Sequence, residues 1–167
     1  TGKEWFSGSS EAFFTLDFPR NKDATFRLTS NLKGLEIRIP ELGWMKNETS
    51  LANLEVLGHI SDRIQYDKLT MSGEGLGVDL RINNNEKFVV ERLVREDILD
   101  ISGVISQNGL EITGGEVNIA NYLKTIDSNG KSKFSTPIFV NLDRLDITDS
   151  FYIDNFSTSF VSDQING

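Results

Sequence analysis

Apolar and polar residues alternate along most of the chain with the two-residue period of a β-strand. The alternation is clearest at residues 76–82, where Leu76, Val78, Leu80 and Ile82 are separated by glycine or charged residues. Successive side chains of a strand point to opposite faces of a sheet, so this segment predicts one apolar and one solvated face. The same pattern is present at residues 14–18, 35–39, 69–71, 110–112, 117–119 and 145–147. The sequence therefore predicts a sheet over most of its length.

Short turn-forming sequences separate the predicted strands. They are rich in glycine and asparagine, which tolerate the left-handed backbone of tight turns, and they occupy residues 73–75, 83–85, 107–109, 114–115 and 127–130. Strands joined by such turns are expected to pair as antiparallel neighbours in a meander. Helix is favoured only at residues 119–126 and, more weakly, at residues 89–99, whose charged residues also fit an outward strand face. The predicted fold class is all-β, a curved antiparallel meander with at most one or two short helices.

A short pattern recurs three times along the chain. Residues 69–73, 99–103 and 110–114 each read apolar, polar, apolar, Ser or Thr, and glycine. The recurrence predicts strands that end at a glycine turn, in a sheet that grows by the addition of hairpins. It specifies no chemistry.

Composition and charge narrow the functional classes. At 167 residues the chain has the length of one domain, and its 38% hydrophobic content with 11 Phe predicts a folded core. A formal net charge of -8 argues against binding to nucleic acid, because the phosphate backbone is repelled. No apolar run approaches the length of a membrane-spanning helix. The first residue is Thr1 and not methionine, so we expect the chain to be a piece of a longer protein.

The sequence offers little of what a catalytic site requires. His59 is its only histidine, and neither a cysteine nor a Gly-x-Ser-x-Gly sequence provides a nucleophile for it to activate. A single histidine also cannot hold a zinc ion alone. We interpret His59 as a polar residue on a strand face or at a turn, and we expect no enzymatic activity and no cofactor.

Three further features admit a functional and a structural interpretation, and the structural one is favoured for each. Residues 127–130 resemble the opening of a calcium loop but lack its closing glutamate, which favours a surface turn. The acidic group Asp143, Asp146, Asp149 and Asp154 alternates with apolar residues and predicts a solvated strand face. The aromatic group Phe134, Phe139, Phe151, Phe156 and Phe160 predicts core packing more than a carbohydrate platform, because phenylalanine has no polar atom for sugar hydroxyls.

Three segments, in order, resemble the AsmA-like family. Residues 30–46 read SNLKGLEIRIPELGWMK, which is similar to a family element of glycine, alternating apolar residues, proline, Leu-Gly and lysine. Residues 64–82 contain LTMSGEGL, which is similar to the family's Leu-x-Leu-x-Gly-x-Gly-Leu. Residues 103–123 are similar to its closing Gly-x-x-Leu-Asp-Leu-x-x-Leu-Leu, although Asn118 stands where the acid is usual. The resemblance is strongest over residues 30–123.

This resemblance identifies residues 1–167 as a single β-rich segment of a longer AsmA-like protein, of the YhdP and TamB type of repeating β-groove envelope proteins. It implies a sheet curled into a U-shaped trough, anchored at the inner membrane of a Gram-negative cell and extending through the periplasm. Such a trough carries phospholipid between the inner and outer membranes. The implied partners are phospholipid acyl chains and adjacent segments of the same longer chain.

Acyl chains need a continuous apolar surface, which alternating strands supply without any catalytic residue. The residues predicted for this lipid-facing surface are Leu35, Ile37, Leu69, Met71, Leu76, Val78, Leu80, Ile82, Leu110 and Ile112. A closed core would show the same alternation, so the pattern does not distinguish a groove from a core. Two other functions stay open, a β-sandwich module that binds polysaccharide and a purely structural spacer in the envelope.

Overall fold

The protein is mostly β. A computed structural model describes residues 5–83, 87–125 and 137–160. Its strands are β1 Phe6–Gly8, β2 Phe13–Asp17, β3 Ala24–Ser30, β4 Leu35–Ile39, β5 Trp44–Lys46, β6 Asn53–Ile60, β7 Ile64–Gly73, β8 Leu76–Asn83, β9 Lys87–Arg95, β10 Leu99–Ser106, β11 Gly109–Asn118, β12 Ile138–Thr148 and β13 Phe151–Phe160. A 3₁₀ turn covers Pro40–Leu42, and the helix α1 covers Ile119–Thr125. The predicted all-β class with few short helices is confirmed.

Ten of the strands form one open sheet, in the order β13-β12-β11-β10-β9-β8-β7-β6-β3-β2. Neighbouring strands are antiparallel, with one departure from the expected meander. The pair β11 and β12 is parallel, and Leu110 lies opposite Ile138. Parallel neighbours need a crossover connection, and α1 begins this one immediately after β11. The helix predicted at residues 119–126 is thus the element that breaks the meander.

The remaining strands form a small three-stranded sheet in the order β1-β4-β5. Trp44 anchors this sheet, because its side chain is only 3% exposed and its Nε1–H donates to the carbonyl of Glu74 at 2.9 Å. Glu74 lies in the turn between β7 and β8. The helix joins the same region, since the Tyr122 hydroxyl donates to the carbonyl of Glu41 at 3.0 Å. We call this end of the large sheet, with the turns at residues 74–75 and 96–98, the capped end.

Lys46 is the last residue of β5, in the small sheet. Its side chain is fully buried, and Nζ donates to the carbonyls of Leu35 at 2.8 Å and Asn47 at 2.9 Å. A buried ammonium group needs hydrogen-bond acceptors, and these two carbonyls accept two of its three hydrogen atoms. Lys46 therefore ties β4 to the end of β5.

Some predicted glycine turns are bulges inside strands. Gly103 lies within β10, and Gly114 and Gly115 lie within β11, so the turn predicted at residues 114–115 is wrong. A Cβ on Gly115 would lie 2.1 Å from the carbonyl oxygen of Asp100. Glycine at these positions lets the two backbones approach closely where the strand register shifts. The sequence alone does not distinguish such a bulge from a turn.

Of the other turn and helix predictions, some are confirmed, one is wrong, and some fall outside the described residues. Turns at residues 73–75 and 107–109 are present where predicted, and Gly73 ends β7 as the recurring pattern requires. The alternative of a helix at residues 89–99 is wrong, because β9 pairs there with both β8 and β10. Residues 84–85 and 127–130 lie outside the described residues.

Candidate functional site

One face of the ten-stranded sheet is apolar from edge to edge, and we call it the apolar face. Directly paired residues share a face, so the register can be followed across the sheet. One row runs through Phe14, Leu28, Val56, Leu69, Leu80, Val90, Gly103, Ile112, Val140 and Thr158. The row begins on the edge strand β2, ends on the edge strand β13 and contains no charged residue.

Most of the predicted lipid-facing residues lie together on this face. Direct pairs join Leu69 to Leu80, Met71 to Val78 and Gly73 to Leu76. The next strands continue the face from Ile82 through Phe88 and Ile105 to Leu110. Only Leu35 and Ile37 are elsewhere, because β4 belongs to the small sheet and pairs with β1 and β5. Ile37 pairs with Lys46 and Ile39 pairs with Trp44. Leu35 and Ile37 therefore lie on the same face of the small sheet as the buried Trp44.

The apolar face is half-buried and differs between its two ends. Leu76, near the capped end, is 3% exposed, whereas Met71, Val78, Leu80 and Ile82 are only partly covered. The opposite end has the turns at residues 18–23, 61–63 and 107–108, and we call it the open end. Large apolar side chains of this face are exposed there, namely Leu16, Ile64, Tyr66, Phe88, Ile105 and Phe160. Within the described residues, the face is covered in part: Phe26, Val90 and Val140 are buried in its interior, and its exposed large side chains lie toward the open end.

Three aromatic rings on the apolar face form a cluster that the sequence analysis missed. Phe26 is 6% exposed, stacks on Phe14 with ring centroids 5.7 Å apart, and meets the edge of Tyr66 at 5.9 Å. Gly58 is paired directly with Phe26 and lies beneath its ring. The signal was a glycine in the same alternating series as the apolar residues Leu54, Val56 and Ile60 of its strand, but only the strand register connects it to Phe26.

The opposite face is polar and carries ion pairs between strands. Lys68 lies 3.1 Å from Asp79 and 3.6 Å from Glu91, and Arg81 also pairs with Glu91. The hydrogen bond from Lys68 to Asp79 is the main cause that raises the pKa of Lys68. Asp79 and Arg81 thus lie on the face away from the apolar residues, as the alternation predicts.

The ion pairs continue toward the later strands of the sheet. Arg92 donates to both carboxylate oxygens of Asp100, at 2.9 and 2.6 Å, and this hydrogen bonding holds the pKa of Asp100 below its usual value. Arg144 donates to Asp146 at 2.7 Å and places its guanidinium 4.0 Å from the centre of the Tyr152 ring. The polar face is therefore held by matched charges, while the apolar face carries none in its central rows.

His59 also lies on the polar face. Its Nδ1 is 3.0 Å from both carboxylate oxygens of Asp67, and the side chain is partly exposed. This places it on a strand face, one of the two locations predicted. In the described ranges no group of three or more histidine, cysteine or acidic residues is arranged to hold a metal ion. The calcium-like residues 127–130 lie outside those ranges.

The C-terminal acidic and aromatic groups lie in different surroundings. Asp143, Asp149 and Asp154 are exposed, as expected for a solvated face, and Asp143 accepts a hydrogen bond from the Gly115 amide at 2.7 Å. Only Phe156 packs against the core cluster of Val140, Leu142 and Leu145. Core packing is wrong for Phe139, Phe151 and Phe160, which are exposed: Phe139 lies on the polar face of β12, and Phe151 and Phe160 lie on the edge strand β13. Phe134 lies outside the described residues.

Comparison with known proteins identifies no relative. No protein-family model, curated protein or solved structure matches the chain. No helix in the described part of the chain has the length and hydrophobicity needed to cross a bilayer. The AsmA-like resemblance therefore stays a prediction from the residue pattern.

Proposed function

We propose that this chain is a non-enzymatic segment of a lipid-transfer conduit, whose apolar face holds the acyl chains of phospholipids. In this proposal the segment belongs to a longer, inner-membrane-anchored AsmA-like protein of the periplasm that carries phospholipid between the inner and outer membranes. The observation that supports it most is the uncharged row from Phe14 to Thr158, which crosses all ten strands and remains partly open.

Acyl chains suit this surface because they need no directional contacts. Each methylene group removed from water contributes about 0.8 kcal/mol, so a chain lying along several strands gains from many weak contacts. The phospholipid headgroup needs water or polar atoms, and it remains solvated if only the acyl chain lies on the face. The exposed side chains of the open end, such as Phe88 and Ile105, offer apolar surface that an acyl chain can contact first.

The polysaccharide module and the structural spacer remain the competing proposals. A sugar platform needs aromatic rings in one plane, but Phe139 and Tyr152 lie on the polar face and Phe160 on the apolar face. The Tyr152 ring is also covered by Arg144. A spacer would carry no lipid, so lipid content separates it from a conduit.

The test compares two arginine substitutions on neighbouring strands. Val78→Arg places a charge in the middle of the apolar face, whereas Thr70→Arg places it on the polar face directly opposite Asp79. Each variant is incubated with vesicles of phosphatidylethanolamine and phosphatidylglycerol, re-isolated, and examined by native mass spectrometry for bound lipid. Thermal unfolding of each variant is measured in parallel.

We expect the wild type and Thr70→Arg to carry lipid, and Val78→Arg to lose most of it. Val78→Arg should remain folded, because its long side chain can extend over the half-buried surface and keep its charge in water. A wild type that never carries lipid would refute the conduit proposal, whether or not Val78→Arg unfolds. Equal lipid loss in both variants would show that binding does not take place on the apolar face.

A further inference from the structure

The outer edge of β13 ends the large sheet and is unpaired within the described residues. The strand pairs with β12 on its inner side, where Phe156 lies opposite Leu142 and Phe160 opposite Ile138. Asn155 has a positive φ of 54°, but the register of β13 with β12 continues across it into residues 156–160. Those residues form a regular ladder with β12 and contain no charge. Such an edge presents free backbone amides and carbonyls without the charged residues that usually block pairing.

Residues 156–160 read the same in both directions, Phe-Ser-Thr-Ser-Phe. If two copies pair antiparallel about Thr158, each side chain meets its own kind: Phe156 faces Phe160, Ser157 faces Ser159, and Thr158 faces Thr158. Aromatic pairs and hydroxyl pairs are among the favourable cross-strand combinations. The pairing also places matching side chains on the same face of the sheet, because Phe156, Thr158 and Phe160 alternate with the exposed Ser157 and Ser159.

We propose that β13 is a dimerisation edge, which pairs antiparallel with β13 of a second copy of this chain, centred on Thr158. A twofold axis through this pair requires a segment complementary to itself, and residues 156–160 meet that requirement. The other edge strand, β2, does not, because its sequence Phe-Phe-Thr-Leu-Asp is not symmetric and ends in the charged Asp17.

The proposed pairing has a defined geometry. The twofold axis stands perpendicular to the sheet, so the apolar faces of both copies lie on the same side and join through Phe156 and Phe160. The capped end of one copy then lies beside the open end of the other. This proposal does not rest on lipid binding, because backbone pairing and side-chain symmetry are sufficient for it.

The absence of cysteine from the sequence allows a test of the register by single cysteines. Thr158→Cys should form a disulfide with its own copy on mild oxidation, because opposed Cβ atoms lie about 5 Å apart. Ser157→Cys alone should not, because the two copies of residue 157 would be diagonal neighbours about 7–8 Å apart, beyond the reach of a disulfide. An equal mixture of Ser157→Cys and Ser159→Cys should give a mixed disulfide dimer. Thr15→Cys, at the middle of β2, is the control for random contact and should remain monomeric.

A charge exchange tests the same pairing without cysteine. One double variant, Ser157→Asp with Ser159→Asp, places aspartates of the two copies opposite each other in the proposed dimer. The other double variant, Ser157→Lys with Ser159→Lys, places lysines opposite lysines. Sedimentation velocity should show a concentration-dependent dimer for the wild type, monomers for each double variant, and a restored dimer when the two are mixed. Both serines are exposed on the polar face, and the substitutions remove only the exposed hydrogen bond from Ser157 to Asn141, so the fold should be retained, which circular dichroism checks.

Several outcomes would overturn the proposal. A wild type that stays monomeric across the concentration series would do so, whatever the variants show. Cross-linking of Thr15→Cys as efficient as that of Thr158→Cys would indicate random association. Dimers in both double variants, or none in their mixture, would show that residues 156–160 do not pair in this register and leave the edge to another segment or partner.

Discussion

Replacement of Gly58 by alanine should be among the most damaging small changes in this protein. A Cβ at this position would lie 2.2 Å from the carbonyl oxygen of Gln65 and 2.4 Å from Cζ of Phe26. The second contact is with a ring that is itself held between Phe14 and Tyr66. Neither a backbone carbonyl nor a packed ring can move freely, so the new methyl group must displace the cluster or separate β6 from β7.

The size of the effect follows from those two contacts. Overpacking a core position costs about 1–3 kcal/mol, and the clash with the backbone places Gly58→Ala at about 3 kcal/mol. For a domain of this length that corresponds to a fall in Tm of about 6–12 °C. Urea unfolding followed by circular dichroism gives the free energy, and thermal unfolding provides the second measurement.

A double variant separates the ring from the backbone. Phe26→Leu removes the ring atoms that the new methyl group would meet, so Gly58→Ala should cost less in the Phe26→Leu background than in the wild type. Rescue should be incomplete, because the Gln65 carbonyl is still in place. A Gly58→Ala variant within about 0.5 kcal/mol of the wild type, or strictly additive single changes, would show that this cluster is not as tightly packed as described.

Three further predictions concern the capped end. Trp44→Phe should lower the unfolding free energy by about 1–3 kcal/mol in urea unfolding, because it leaves the Glu74 carbonyl without its donor. Lys46→Met should cost a similar amount, about 1–3 kcal/mol in the same assay, by removing the buried donor shared by the carbonyls of Leu35 and Asn47, and an unchanged midpoint would contradict this. Burial, followed by the charge of Glu41, raises the pKa of Tyr122, so its contribution to stability should be full below about pH 10 and be lost as pH rises through the folded-state pKa. Tyr122→Phe should abolish this part of the alkaline loss when unfolding is measured across that range.

The alternation of the sequence predicted which residues share a face, because that property depends only on neighbours in the chain. Leu69, Met71, Val78 and Leu80 therefore lie together as expected. Alternation does not say which sheet a strand joins. Ile37 alternates as well as any of them, yet β4 belongs to the small sheet that closes the capped end.

The features that prediction missed depend on strand register. The charged residues of β9 have spacings that fit a helix as well as a strand, and only pairing with β8 and β10 decides between them. Gly115 has the sequence signature of a turn, but it lies in a bulge because Asp100 approaches it from β10. The link between Gly58 and Phe26 likewise joins residues far apart in sequence, so no local pattern contains it.

The parallel junction between β11 and β12 has a consequence for the order of folding. Adjacent hairpins such as β7 and β8 close over a turn of two residues, whereas the bond from the Gly115 amide to Asp143 joins residues 28 apart. Loop-closure entropy grows with the length of chain to be closed, so this junction forms later than the hairpins on either side of it. The pair β12 and β13 should therefore behave as a separate cooperative unit, docking onto hairpins that have already formed and exchanging its amide hydrogens sooner than the central strands.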